Sequence, residues 1–112
     1  MSFSGLVRAV SQSNDISGIQ KGQVLGGVIV TTGVTLTFPL IASNVTNDQT
    51  TTVSGASLGD FVQVTCTTAL AAGLEVFGFV SAANTITVRM GNATAGSITP
   101  GALVFNILVL KP

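Results

Sequence analysis

A period of two constrains this chain more than any other feature. In Thr85-Ile86-Thr87-Val88-Arg89-Met90 the residues Ile86, Val88 and Met90 fall on one face, and Thr85, Thr87 and Arg89 on the other. That is the signature of a strand with one buried side. Val34-Thr35-Leu36-Thr37-Phe38 repeats it with Val34, Leu36 and Phe38 inward. Phe61-Val62-Gln63-Val64-Thr65-Cys66 does so with Val62, Val64 and Cys66 together. Thr and Val are the commonest residues, at 15 each, followed by 13 Gly, a set that favours strands and tight turns over helices.

Two segments are apolar on both faces. In Leu74-Glu75-Val76-Phe77-Gly78-Phe79-Val80, one face carries Leu74, Val76 and Val80 and the other Phe77 and Phe79. Leu103 to Leu110 is apolar on both faces apart from Asn106, and includes Phe105, Leu108 and Leu110. A strand in a two-layer fold needs only one apolar face. Doubly apolar strands therefore lie centrally under loops or face another subunit, and the low charge of the chain favours the subunit.

Turn signals separate the runs. Thr32-Gly33 reads as a tight hairpin, and Ser81-Ala82-Ala83-Asn84 as a second one with Asn84 in a left-handed conformation. Seven strands follow, at about 23–31, 34–40, 50–54, 60–67, 74–81, 84–91 and 103–111. Short strands at this spacing predict an all-β fold, an antiparallel β-sandwich or jelly-roll-like barrel. Ser11 to Gln20 is polar without a sustained period, and residues 1–22 read as an N-terminal arm or loop, leaving 23–112 as a single β domain.

Composition then removes whole classes of function. The 112 residues include no His, no Trp, no Tyr and one Cys. The commonest general base and metal ligand is missing, as are cysteine zinc clusters and intrachain disulfides. Four Lys or Arg in a chain of zero net charge do not neutralise a phosphate backbone, so nucleic acid is not an expected partner. Charged residues are 7%, against a usual share of about 25%. With a mean hydropathy of +0.69, the apolar excess calls for a membrane, a partner or further copies of the chain. The uncharged stretches 22–47 and 90–110 are long enough to span a bilayer, but Gly, Pro39, Asn and β-branched residues make them poor helices. Arg8 interrupts the only early apolar run, so no secretory signal is expected and the thiol is expected to stay reduced.

The candidate chemical groups read as structural. Asp60 follows Gly59 at a strand start, a turn-capping position, and Glu75 is expected to pair with a cation such as Arg89. Cys66 shares a face with Val62 and Val64 and reads as a small buried hydrophobe. Asn44, Asn47 and Asp48 supply too few carboxylates for calcium and read as an ordinary turn. Asn44-Val45-Thr46 and Asn92-Ala93-Thr94 match the glycosylation pattern at about the frequency chance provides, and are discounted. No cofactor, metal or catalytic residue is assigned, and the chain is read as a non-enzyme.

The order of motifs from Gly55 onward is distinctive. Gly59-Asp60-Phe61-Val62 is followed by Leu70-Ala71-Ala72-Gly73-Leu74, then Val80-Ser81-Ala82-Ala83-Asn84-Thr85-Ile86-Thr87-Val88, then Asn92-Ala93-Thr94-Ala95-Gly96-Ser97-Ile98-Thr99-Pro100. This half of the chain resembles a small β-module of tailed-bacteriophage structural proteins, found in capsid decoration (cement) proteins and in fibre or tail components. The resemblance implies a virion protein at the capsid surface, synthesised in the host cytoplasm. It implies a homo-oligomer, a trimer, bound to the major capsid protein and stabilising the head, with no membrane partner. On that reading Phe77, Phe79 and Phe105, with Leu108 and Leu110, build the core and the trimer contact. Phe3, Leu6 and Arg8 lie in an arm that reaches the capsid or a neighbouring chain. A tail or head-fibre component contacting the host ranks second, because receptor contact usually draws on the missing Trp and Tyr. A small ligand-binding β-barrel is the reading from another class, and needs an apolar cavity with a few polar anchors.

Overall fold

The computed structural model describes residues 26–112. Within them the chain forms six strands: β1 (Gly27–Phe38), β2 (Thr46–Thr52), β3 (Phe61–Cys66), β4 (Leu74–Ala82), β5 (Thr85–Asn92) and β6 (Gly101–Lys111). They make two three-stranded sheets, ordered β1-β6-β3 and β2-β5-β4, and every pairing is antiparallel. The expected all-β antiparallel fold is therefore present. The N-terminal arm assigned to residues 1–22 lies outside the described residues.

The alternating strands build the core as their pattern requires. Ile86, Val88 and Met90 from β5 are fully buried, as are Phe105, Ile107 and Val109 from β6. Leu36 and Phe38 of β1, Val64 of β3 and Leu74 and Val80 of β4 complete one apolar cluster shared by both sheets. Phe38 and Phe105 meet edge to face across it, with ring centroids 6.1 Å apart. Gly78 of β4 allows the sheets to close on one side. A Cβ there would lie 2.4 Å from a Val64 methyl, far inside van der Waals contact.

Three expectations need correction. Thr32-Gly33 is not a hairpin: the two segments expected at 23–31 and 34–40 are one strand, β1, so the described residues hold six strands and not seven. The register of β1 against β6 steps between Thr31 and Val34, where two residues oppose Asn106 alone. This is a β-bulge. Gly33 adopts φ 71° within it, and its N–H donates to Asn106 Oδ1 at 3.2 Å. The bulge changes the phase of alternation, so that Ile29 before it and Val34, Leu36 and Phe38 after it all face the core.

The second correction concerns 44–54. The expected strand at 50–54 begins earlier, at Thr46, and the expected turn at Asn44 to Asp48 is largely strand β2. β2 has no apolar residue. Its pairing with β5 holds it in place, and Asp48 stands opposite Arg89. Asn44, at φ 62°, makes the turn that precedes it. The third correction is to Glu75, treated below.

Two asparagines fasten the loops to this frame. Asn84 is at φ 62° and closes the β4–β5 hairpin, as expected. Its backbone N–H donates to Ala56 O at 2.8 Å, its carbonyl accepts from Val53 N–H at 2.9 Å, and its side-chain oxygen accepts from Gly55 N–H at 2.8 Å. Val53 and Ala56 are thereby held in the core. Asn92, 2% exposed, donates its amide to Ile41 O at 2.9 Å and Gly96 O at 2.8 Å, and accepts from the backbone and hydroxyl of Thr94. It fixes the 93–100 connector beside the Ile41–Ile98 bridge.

Candidate interaction surface

Among the described residues, exposed aromatic and charged side chains gather on the outer faces of the sheets. On the second sheet, β4 turns Glu75, Phe77 and Phe79 outward, and their cross-strand partners on β5 are Gly91, Arg89 and Thr87. Phe77 is 54% exposed and Phe79 half-buried, with ring centroids 6.2 Å apart. The Arg89 guanidinium lies 5.0 Å from the Phe79 centroid and 6.0 Å from that of Phe77, within cation–π range. Arg89 also donates to both carboxylate oxygens of Asp48, each at 2.8 Å. That bidentate pair lowers the Asp48 pKa, chiefly through the hydrogen bonds, and raises that of Arg89. Glu75 forms no ion pair among the described residues, contrary to expectation, because Asp48 directly faces Arg89 while Glu75 is paired in register with Gly91.

The first sheet presents a different surface. Val28, Leu110 and Phe61 form one cross-strand row on its outer face, and Val30, Leu108 and Gln63 the next. Val28, Val30 and Phe61 are 56%, 66% and 61% exposed, and Leu108 and Leu110 are half-buried. Beyond these two rows the face carries Asn106, Thr65, Thr35 and Thr37, with Val104 half-buried opposite Thr35 and no further exposed large apolar side chain on its strands. The result is an apolar patch confined to the end where β1 begins.

Beside it, Lys111 Nζ binds Asp60 Oδ2 at 2.6 Å and Gly55 O at 2.9 Å. Asp60 also accepts from Ser57 N–H at 2.9 Å, the turn-capping role expected of it. The lysine, and then the Ser57 amide, hold its pKa below the usual carboxylate value.

The candidate residues thus divide. Phe105 belongs wholly to the core, Phe77 and Phe79 to one outer face, and Leu108 and Leu110 to the other. Phe3, Leu6 and Arg8 lie outside the described residues. Val28, Val30 and Phe61 were not singled out from the sequence, although each is a large apolar residue on the face opposite its strand's inward set. Cys66 is half-buried against the core, its sulfur 3.7 Å from the Thr68 hydroxyl.

Two surface clefts accompany these faces. One, of about 230 Å³, is walled by Leu70, Leu74, Ile98, Pro100 and Leu103 at one end of the core. The other, of about 210 Å³, is lined by Asn44, Glu75 and Asn92 among others. Both fall below the roughly 300–1,000 Å³ usual for small-molecule sites. Among the described residues no three His, Cys, Asp or Glu side chains gather into a metal site, and no helix is long and apolar enough to cross a membrane. Comparisons with protein-family models, with curated proteins and with solved structures find no match.

Proposed function

We propose that this chain is a virion structural protein: a non-enzymatic capsid decoration (cement) protein that self-associates, as a trimer, and binds major capsid subunits. On this reading its two sheets form a small antiparallel sandwich, a rigid body whose outer faces meet other proteins. The observation that carries the proposal is the placement of large apolar side chains on both outer faces of a chain with 7% charged residues. Such surface is costly to leave in water and is usual where proteins meet. The motif order supports the virion assignment. Its asparagines and glycines occupy the turns and clamps of the fold, the positions that define a rigid module.

The outer face of the second sheet, with Phe77 and Phe79 braced by Arg89, is the contact between copies. Residues 1–22, with Phe3, Leu6 and Arg8, reach the capsid. Binding to the assembled head alone stabilises that state by mass action.

Co-sedimentation of the purified chain with undecorated heads of its source phage tests the proposal. Saturable binding in multiples of three per capsid site is expected, with the heads surviving higher temperature. A chain that stays in the supernatant at every ratio overturns it. Deleting residues 1–20 is expected to lower occupancy while leaving the oligomer intact.

A further inference from the structure

The apolar patch on the first sheet is small and sharply bounded. Val28, Leu110 and Phe61 span three strands in one row, Val30 and Leu108 lie in the next, and Asn106 and Thr65 end it. Strands are roughly 4.8 Å apart and alternate residues about 7 Å apart along a strand. Gln63 takes the third place of the second row, so the apolar patch spans three strands in one row and two in the next, far smaller than the roughly 800 Å² per partner of a standard protein–protein interface. It matches a short amphipathic segment instead.

This chain contains one. Phe3, Leu6, Val7 and Val10 recur at i, i+3, i+4 and i+7, the spacing of a single helical face, with Ser4, Gly5, Arg8 and Ala9 between them. Four apolar anchors at that spacing are what a helix laid on an apolar surface presents. The segment is also tethered nearby. The described chain begins at Gly26, whose N–H donates to Lys111 O at 2.7 Å, beside the row of Val28 and Leu110. Residues 11–25 connect Val10 to that point. A random coil of fifteen residues has an end-to-end distance of roughly 20 Å, enough to span a patch two rows deep. A tether of that length makes docking on the same chain an intramolecular event at high effective concentration.

We infer that the apolar patch formed by Val28, Val30, Phe61, Leu108 and Leu110 is the seat of the chain's own Met1–Val10 segment in the free protein. Phe3, Leu6, Val7 and Val10 supply the contact, and Arg8 stays in water. This inference does not depend on the capsid assignment, and its test contains no capsid.

The test uses the full chain labelled with ¹⁵N, carrying Ser2→Cys and Cys66→Ser and a nitroxide on the new cysteine. Amide signals of Val28, Val30, Phe61, Leu108 and Leu110 are expected to lose most of their intensity, while those of Phe77 and Phe79 keep theirs. Leu6→Asp should restore the lost signals, as should Val30→Asp, which changes a residue 66% exposed and leaves the core untouched. Unchanged intensities, or loss centred on Phe77, overturn the inference. A mixture of ¹⁵N chain without nitroxide and unlabelled chain with nitroxide completes the test. Loss of patch signals in that sample means exchange between copies and overturns the own-chain seat; retention is expected.

Discussion

Asn92 shows how much of this fold hangs on single polar groups. Its amide group donates twice into backbone carbonyls in the interior, and its carbonyl oxygen accepts twice from Thr94. The residue matches a glycosylation pattern in sequence, yet its nitrogen is fully occupied and buried. Asn92→Ala should cost about 2 kcal/mol in urea unfolding, from lost hydrogen bonds and an unsatisfied Thr94 amide. Asn92→Asp should cost more at neutral pH, because a carboxylate oxygen then faces two carbonyl oxygens with no proton between them. Its deficit should shrink in acid, when the carboxyl regains a donor. Asp60 supplies a second residue-level prediction. Lys111 lowers its folded pKa below the ordinary 3.8, so folding favours the ionised form. That contribution is complete above 3.8 and is lost as the pH falls through the lowered folded value. Melting temperature should therefore fall on the acid side, and Asp60→Asn should lower it near neutrality while flattening the acid decline. The turn role of Asp60 was legible from Gly59-Asp60 alone. Its lysine, 51 positions away, was not, because sequence spacing carries no information about a pairing that only the sheet creates.

At the scale of elements, β1 and β2 mark where a sequence pattern stops being decisive. The phase of alternation changes between Thr31 and Val34, and either a hairpin or a bulge satisfies that change. Two residues including a glycine look the same in both cases. The structure takes the bulge because β6 is long enough, at 11 residues, to pair with both halves of β1. β2 was placed late because TNDQTTT offers no apolar alternation to read. Its strand character comes from Thr content and from the Asp48–Arg89 cross-strand pair. In contrast β5 was legible almost to its ends, since Ile86, Val88 and Met90 alternate without a break and are fully buried, and β6 was legible as an unbroken apolar run. The bulge is directly testable. Gly33 sits at φ 71° with open space around it, so Gly33→Ala should cost only the left-handed backbone penalty, about 1 kcal/mol. Deleting Gly33 should cost far more, because it turns Ile29 outward and drives Val28 and Val30 toward the core. Chemical denaturation of the two variants side by side separates the explanations: equal losses would mean that the bulge sets no register.

For the molecule as a whole, the question is which aromatic residues hold the body together and which face outward to be covered. The sequence placed Phe77, Phe79 and Phe105 in one group, because a doubly apolar strand does not say which of its faces meets the core. The structure separates them: Phe105 is fully buried against Phe38, while Phe77 is 54% exposed beside Arg89. Phe105→Ala removes a ring from a packed interior and should cost about 3–5 kcal/mol. Phe77→Ser removes surface that water already reaches and should change the stability of the isolated subunit by no more than about 1 kcal/mol. Its effect belongs to assembly instead. If the second sheet's outer face joins copies, Phe77→Ser should reduce the mass seen by light scattering to that of a single chain while the folded signal persists. An oligomer of unchanged mass would move the copy contact away from this face. The contrast between the two variants, one losing fold and the other losing only partners, is what the proposed attachment of copies through this face requires.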